Sequence, residues 1–68
     1  MLKITLKACR TNVGLSRKEA GLKIGVSPDT IYKWEKGESF PSSKYIPAIV
    51  ETYGVPYDNI LFLPKSYA

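Results

Sequence analysis

Asp29, Lys33 and Lys36 recur at helical spacing inside the run GVSPDTIYKWEKG (residues 25–37). On a helix of 3.6 residues per turn, that spacing sets one carboxylate and two ammonium groups on a common face. Their chemistry is recognition by charge and hydrogen bonding. Catalytic chemistry has little to work with. The 68 residues hold no histidine and one cysteine, Cys9. Ordinary zinc sites, Cys/His nucleophiles, Ser-His-Asp triads and an internal disulfide are thereby excluded. Asp29 and Glu35 fall on different faces of one helix, so they form no acid/base pair. There is no phosphate-binding glycine loop, and neither a catalytic residue nor a cofactor is expected. Cys9 reads as a small buried apolar residue.

The charge distribution agrees with a binding role. Residues 1–37 carry eight basic and three acidic side chains, net +5, whereas residues 38–68 are net −1. A cationic N-terminal half favours a polyanionic partner, though only modestly. At this length one domain is expected, residues 1–68, with economical use of its apolar residues. No apolar run approaches the roughly 20 residues of a membrane span. MLKITLKACR lacks the long apolar core of a signal peptide. A cytoplasmic setting without a membrane partner is expected.

The punctuation suits a series of short helices, and no stretch shows strong strand alternation. Leu2, Leu6, Cys9, Arg10 and Val13 recur at helical spacing until Gly14. Ser16 caps a second helix, with Glu19 three residues on completing a capping box, and this helix runs through Ile24. Ser27 caps a third, with Pro28 at its first position and Gly37 closing it. Residues 38–43 read as a loop. A fourth helix is expected from about Ser43 to Tyr53, with Pro47 kinking or delaying it. A short fifth opens at Pro56 or Tyr57, runs through Leu61 or Phe62, and ends at Pro64. The expected fold is therefore all-α, a compact five-helix domain.

The second and third helices, joined around Gly25-Val26-Ser27, make a helix-turn-helix over about residues 16–37. Gly25 offers a left-handed turn, Val26 plugs it, and small Ala20 and Gly21 allow a close helix crossing. A plain helical hairpin would use the same glycines, so the turn alone does not assign a function. On the third helix Ser27, Ile31, Trp34 and Glu35 share the inner side. Asp29, Lys33 and Lys36 lie outside, with Thr30 and Tyr32 on the flanks. Trp34 follows the Ile31 stripe and reads as core. Glu35 on the inner side needs a partner, and Arg10 on the first helix is the natural one, in a bidentate ion pair serving architecture.

Arg10, Gly14-Leu15-Ser16, Glu19-Ala20, Ile24-Gly25-Val26-Ser27, Ile31, Trp34-Glu35-Lys36-Gly37, Pro41, Gly54-Val55 and the segment from Asp58 to Leu61 together resemble the phage-repressor/Cro-type (XRE-like) helix-turn-helix regulators. The resemblance covers roughly residues 3 to 62. It implies a lambda-repressor-like domain that binds double-stranded operator DNA, usually as a dimer, with the third helix in the major groove. By position, the resemblance puts Ser27, Pro28, Asp29, Thr30 and Lys33 at the base edges. Lys33 would reach guanine O6 or N7, and Asp29 would accept from cytosine N4. Thr30 would meet a thymine methyl or a phosphate. Arg17, Lys18, Tyr32, Lys36, the Gly37 backbone and Ser39 are the implied phosphate contacts. Pro28 and Asp29 stand where the family often has long amide or basic side chains, so DNA shape is expected to supply part of the selectivity.

The run Tyr53 to Tyr67 holds Tyr53, Val55, Tyr57, Ile60, Leu61, Phe62, Leu63 and Tyr67. These cap the core or supply a homodimer interface. The alternative reading is a protein-interaction module on the same fold, such as an antitoxin or anti-repressor. Nothing after the fifth helix has room for an effector domain, so control by abundance or by a partner protein is expected, and no small-molecule substrate.

Overall fold

The first helix begins where a side chain can cap it. Thr5 holds an extended conformation, and its hydroxyl accepts from the Ala8 amide at 3.2 Å. A computed structural model describes residues 3–62. The elements, in order, are β1 (Ile4–Thr5), α1 (Leu6–Asn12), α2 (Arg17–Ile24), α3 (Pro28–Lys36), a 3-10 turn (Ser43–Tyr45), α4 (Ile46–Tyr53), a second 3-10 turn (Tyr57–Asn59) and β2 (Ile60–Leu61). Leu2, Leu63, Pro64 and Tyr67, invoked above for the first helix, the last helix and a dimer interface, lie outside the described residues.

Two sequence expectations need correction. The segment after Gly54 is not a fifth helix. Pro56 leads into one 3-10 turn, and Ile60 then adopts extended angles (φ −92, ψ 127). Asp58 and Asn59 favour turns over helix interiors, and a segment this short cannot sustain helix nucleation. Nor are the described residues all helical. Ile4 pairs with Ile60 and Thr5 with Leu61 in a two-stranded parallel sheet. The pair ties the two ends of the described chain together and seats Ile60 in the core. Pro47 does delay the fourth helix: residues 43–45 form a 3-10 turn, and the α-helix starts at Ile46 with the proline in its first turn. There its missing N–H leaves no internal bond unmade.

The core gathers Leu6, Cys9, Ala20, Ile24, Ile31, Trp34, Ile49, Tyr53 and Ile60. Trp34 packs its ring against Tyr45 at 5.6 Å between centroids. Cys9 is buried; burial raises its thiol pKa, and Sγ sits 3.9 Å from the Ile4 carbonyl. Tyr53 is buried as well, and desolvation, reinforced by the Glu35 charge, pushes its phenol from 10.0 up to about 12. A raised folded-state value means stability that is complete below the unfolded value and lost as pH rises through the folded one. Between pH 10 and 12 the wild type should therefore lose stability relative to Tyr53→Phe, as chemical unfolding at stepped pH would show. A constant difference across that window would contradict the assignment.

The turn between α2 and α3 is fixed by two glycines with different tasks. Gly25 takes φ +97, a left-handed conformation that strains residues bearing a Cβ. The amides of Gly25 and Val26 both donate to the Gly21 carbonyl, at 2.7 and 2.9 Å. Gly21 has ordinary helical angles, but a Cβ there would lie 2.5 Å from the Val26 carbonyl oxygen. The obstacle is backbone, which cannot step aside without moving the turn. Alanine at Gly21 would gain roughly 1 kcal/mol in helix propensity, yet overpacking costs about 1–3 kcal/mol. Gly21→Ala should therefore gain nothing from its better propensity and destabilise by a net of up to ~2 kcal/mol in urea unfolding. A stabilised Gly21→Ala variant would show that the turn relaxes freely.

Candidate nucleic-acid interface

The surface of α3 follows from its caps and its periodicity. Ser27 Oγ accepts from the Thr30 amide at 3.1 Å, Pro28 occupies the first turn, and Gly37 ends the helix at φ +79. Ile31, Trp34 and Glu35 are buried beneath it; Asp29, Lys33 and Lys36 are exposed, and Thr30 and Tyr32 lie half-buried between the two faces. Ser27, which helical phase puts on the inner side, is exposed, because a cap residue stands outside the helical turn that it closes.

Beyond its buried apolar residues, one buried ion pair ties this helix to α1. Arg10 Nε donates to Glu35 Oε2 at 2.6 Å and Nη2 to Oε1 at 3.2 Å, while Nη1 donates to the Leu15 carbonyl at 3.0 Å. The guanidinium thus holds α1, the chain entering α2, and α3 at once. Its hydrogen bonds with Glu35 raise the already high Arg10 pKa. At the entry to α2, Ser16 Oγ accepts from the Glu19 amide, and the Ser16 amide donates to Glu19 Oε1 at 2.8 Å. Those bonds hold the Glu19 carboxyl below the usual carboxylate range.

The base-facing candidates form two local pairs. Lys33 Nζ lies 3.3 Å from Asp29 Oδ2, an i,i+4 contact with both side chains at least half exposed. Ser27 Oγ and Thr30 Oγ1 are 3.0 Å apart. Pro28 is exposed beside them, and Arg17, Pro28, Asp29 and Tyr32 line a shallow open hollow at the N-terminal end of α3.

Among the phosphate candidates, Arg17 and Lys36 converge on Tyr32. Arg17 Cζ lies 4.9 Å and Lys36 Nζ 5.6 Å from the centre of the Tyr32 ring. Arg17 Nε is also 3.9 Å from Glu35 Oε1. Lys18 is exposed next to Arg17, and Ser39 is half-buried. The Gly37 amide turns back onto its own helix. The residue is buried, and its amide caps the helix at Trp34 O (3.3 Å). The amides of Glu38 and Ser39 likewise turn back to the Lys33 carbonyl, at 2.9 and 3.4 Å. Spacing in the sequence does not foretell this shared cation–π contact on Tyr32. The i,i+4 spacing of Tyr32 and Lys36 hints at half of it, but Arg17 arrives from another helix.

The described surface thus presents a capped helix whose exposed charges are Asp29, Lys33 and Lys36, set on a helix-turn-helix. Residues 6–60 match a helix-turn-helix family model. The chain belongs to the XRE-type helix-turn-helix family. A comparison with curated proteins gave no match. The family is one of DNA-binding regulatory domains, and duplex DNA is the partner it implies. Among the described residues, no helix is long and apolar enough to cross a membrane.

Proposed function

We propose that this helix-turn-helix chain is a sequence-specific transcriptional repressor that binds operator DNA in the cytoplasm as a homodimer, with α3 in the major groove. The observation that carries the reading is the division of α3: Ile31, Trp34 and Glu35 are buried, and Asp29, Lys33 and Lys36 are exposed on the opposite face. Ser27, Pro28, Asp29, Thr30 and Lys33 face the base edges. Lys33 donates to guanine and Asp29 accepts from cytosine. Ser27 Oγ keeps its capping bond to the Thr30 amide, so Ser27 serves the groove mainly by holding the helix entry. Arg17, Lys18 and Lys36 neutralise phosphates, with Tyr32 and Ser39 beside them.

Phosphate neutralisation releases counterions, so affinity for a duplex should fall linearly with salt on a log–log plot, with a slope near −0.9 per contact. Three basic side chains per subunit predict a slope of roughly −3 for a monomer and −5 for a dimer. A salt-independent affinity would contradict the reading.

The dimer and the interaction-module readings share one supporting observation. Phe40, Pro41, Ile46, Tyr57 and Phe62 line an open apolar hollow, with Phe40 and Tyr57 each 55% exposed. Sedimentation of the chain, alone and then with duplex, distinguishes them: a concentration-dependent dimer supports self-association, and a monomer that binds no duplex favours a protein partner.

A further inference from the structure

We propose that Tyr32 is a positioning residue for phosphate contact, acting through Arg17 and Lys36; the inference rests on the duplex-binding reading above. Arg17 is the first residue of α2 and Lys36 the last of α3, so the chain itself gives them no common support. The Tyr32 ring supplies it, with the guanidinium carbon 4.9 Å and the ammonium nitrogen 5.6 Å from its centre. Both distances lie within the range of a cation–π contact. Glu35 Oε1, 3.9 Å from Arg17 Nε, steadies the same guanidinium from the core side. Glu35 is itself fixed by Arg10, so the brace runs from the buried ion pair to the exposed cations.

Three physical consequences follow. A cation–π contact uses the face of a guanidinium, so the N–H groups not turned toward Glu35 stay available to a phosphate. Long cationic side chains already ordered on a ring lose less freedom when an anion binds. Two like charges gathered at one ring also repel each other, and an anion relieves that repulsion. Tyr32 therefore needs to contact no phosphate itself: its ring, rather than its hydroxyl, does the positioning.

The test is a fluorescence-anisotropy titration with a mixed-sequence duplex at about 50 mM salt. It compares the wild type, Tyr32→Phe, Tyr32→Leu, Arg17→Ala and the Tyr32→Leu/Arg17→Ala double variant. Tyr32→Phe should bind within about twofold of wild type, and Tyr32→Leu should bind about three- to tenfold more weakly with a shallower salt dependence. Arg17→Ala should cost less in the Tyr32→Leu background than alone. In proton NMR spectra of the free protein, the Arg17 δ and Lys36 ε methylenes should show ring-current shifts in wild type and Tyr32→Phe, lost in Tyr32→Leu. Unchanged binding by Tyr32→Leu overturns the inference, as does equal loss in Tyr32→Phe or full additivity with Arg17→Ala. A wild type that binds no duplex overturns the underlying reading as well; wild-type binding that ignores Tyr32→Leu overturns this inference alone.

Discussion

Arg10→Ala is expected to lower the unfolding free energy by about 3–5 kcal/mol, and Glu35→Ala by a similar amount. Each single change leaves a charge in a buried site with its main partner gone. For Glu35→Ala the orphan is a guanidinium with only the Leu15 carbonyl left. For Arg10→Ala it is a carboxylate whose remaining cation, Arg17, stands 3.9 Å away at the surface. A small domain of this size has only about 3–10 kcal/mol in total, so either variant should be largely unfolded in mild denaturant. Replacing both partners with apolar side chains, Arg10→Met with Glu35→Leu, should recover most of the loss, because the desolvation cost disappears with the pair. Urea unfolding of the four proteins compares the two single losses with the double replacement. Single variants within ~1 kcal/mol of wild type would show that the pair contributes no more than a surface contact.

Lys33→Ala should weaken operator binding by about 1–3 kcal/mol, or roughly five- to 150-fold, and relax preference at particular base pairs. Asp29→Ala should act with the opposite sign on non-specific DNA. The Asp29 carboxylate lies 3.3 Å from the Lys33 ammonium and repels nearby phosphates, so its removal leaves a more cationic face. Affinity for mixed-sequence duplex is expected to rise while discrimination among sites falls. As a purely structural contact, the exposed pair is worth only ~0.3–0.5 kcal/mol, so a large change in specificity would come from readout. Binding measured across a set of single-base-pair variants separates the two cases. Uniform weakening by Lys33→Ala across all of them would assign that lysine to phosphate instead.

The helix-turn-helix was legible in the sequence because its boundaries are local chemistry. Ser16 with Glu19, Gly25, Ser27 with Pro28, and Gly37 each stop or start a helix through contacts a few residues away. The inner and outer faces of α3 were legible too, since Ile31, Trp34 and Glu35 recur with the helical period. What escaped depends on contacts distant in sequence. Ile60 became a strand because Ile4, at the other end of the described chain, pairs with it. Asp58-Asn59-Ile60 alone shows a turn former next to a β-branched residue, which is too short a signal to separate strand from helix end. At the site, the Gly37 amide looked available by position, yet helix C-capping turns it inward. The sharing of Tyr32 by Arg17 and Lys36 needs the packed angle between two helices, which no spacing rule contains.

Whether α3 reads duplex sequence is decided by selecting bound sites from random duplexes. A sequence-reading α3 should enrich a short palindrome whose half-sites lie about one helical turn, ~34 Å, apart, with Lys33→Ala changing preference at particular base pairs within each half. Recovery of no common sequence, with every duplex bound alike at low salt, would contradict it.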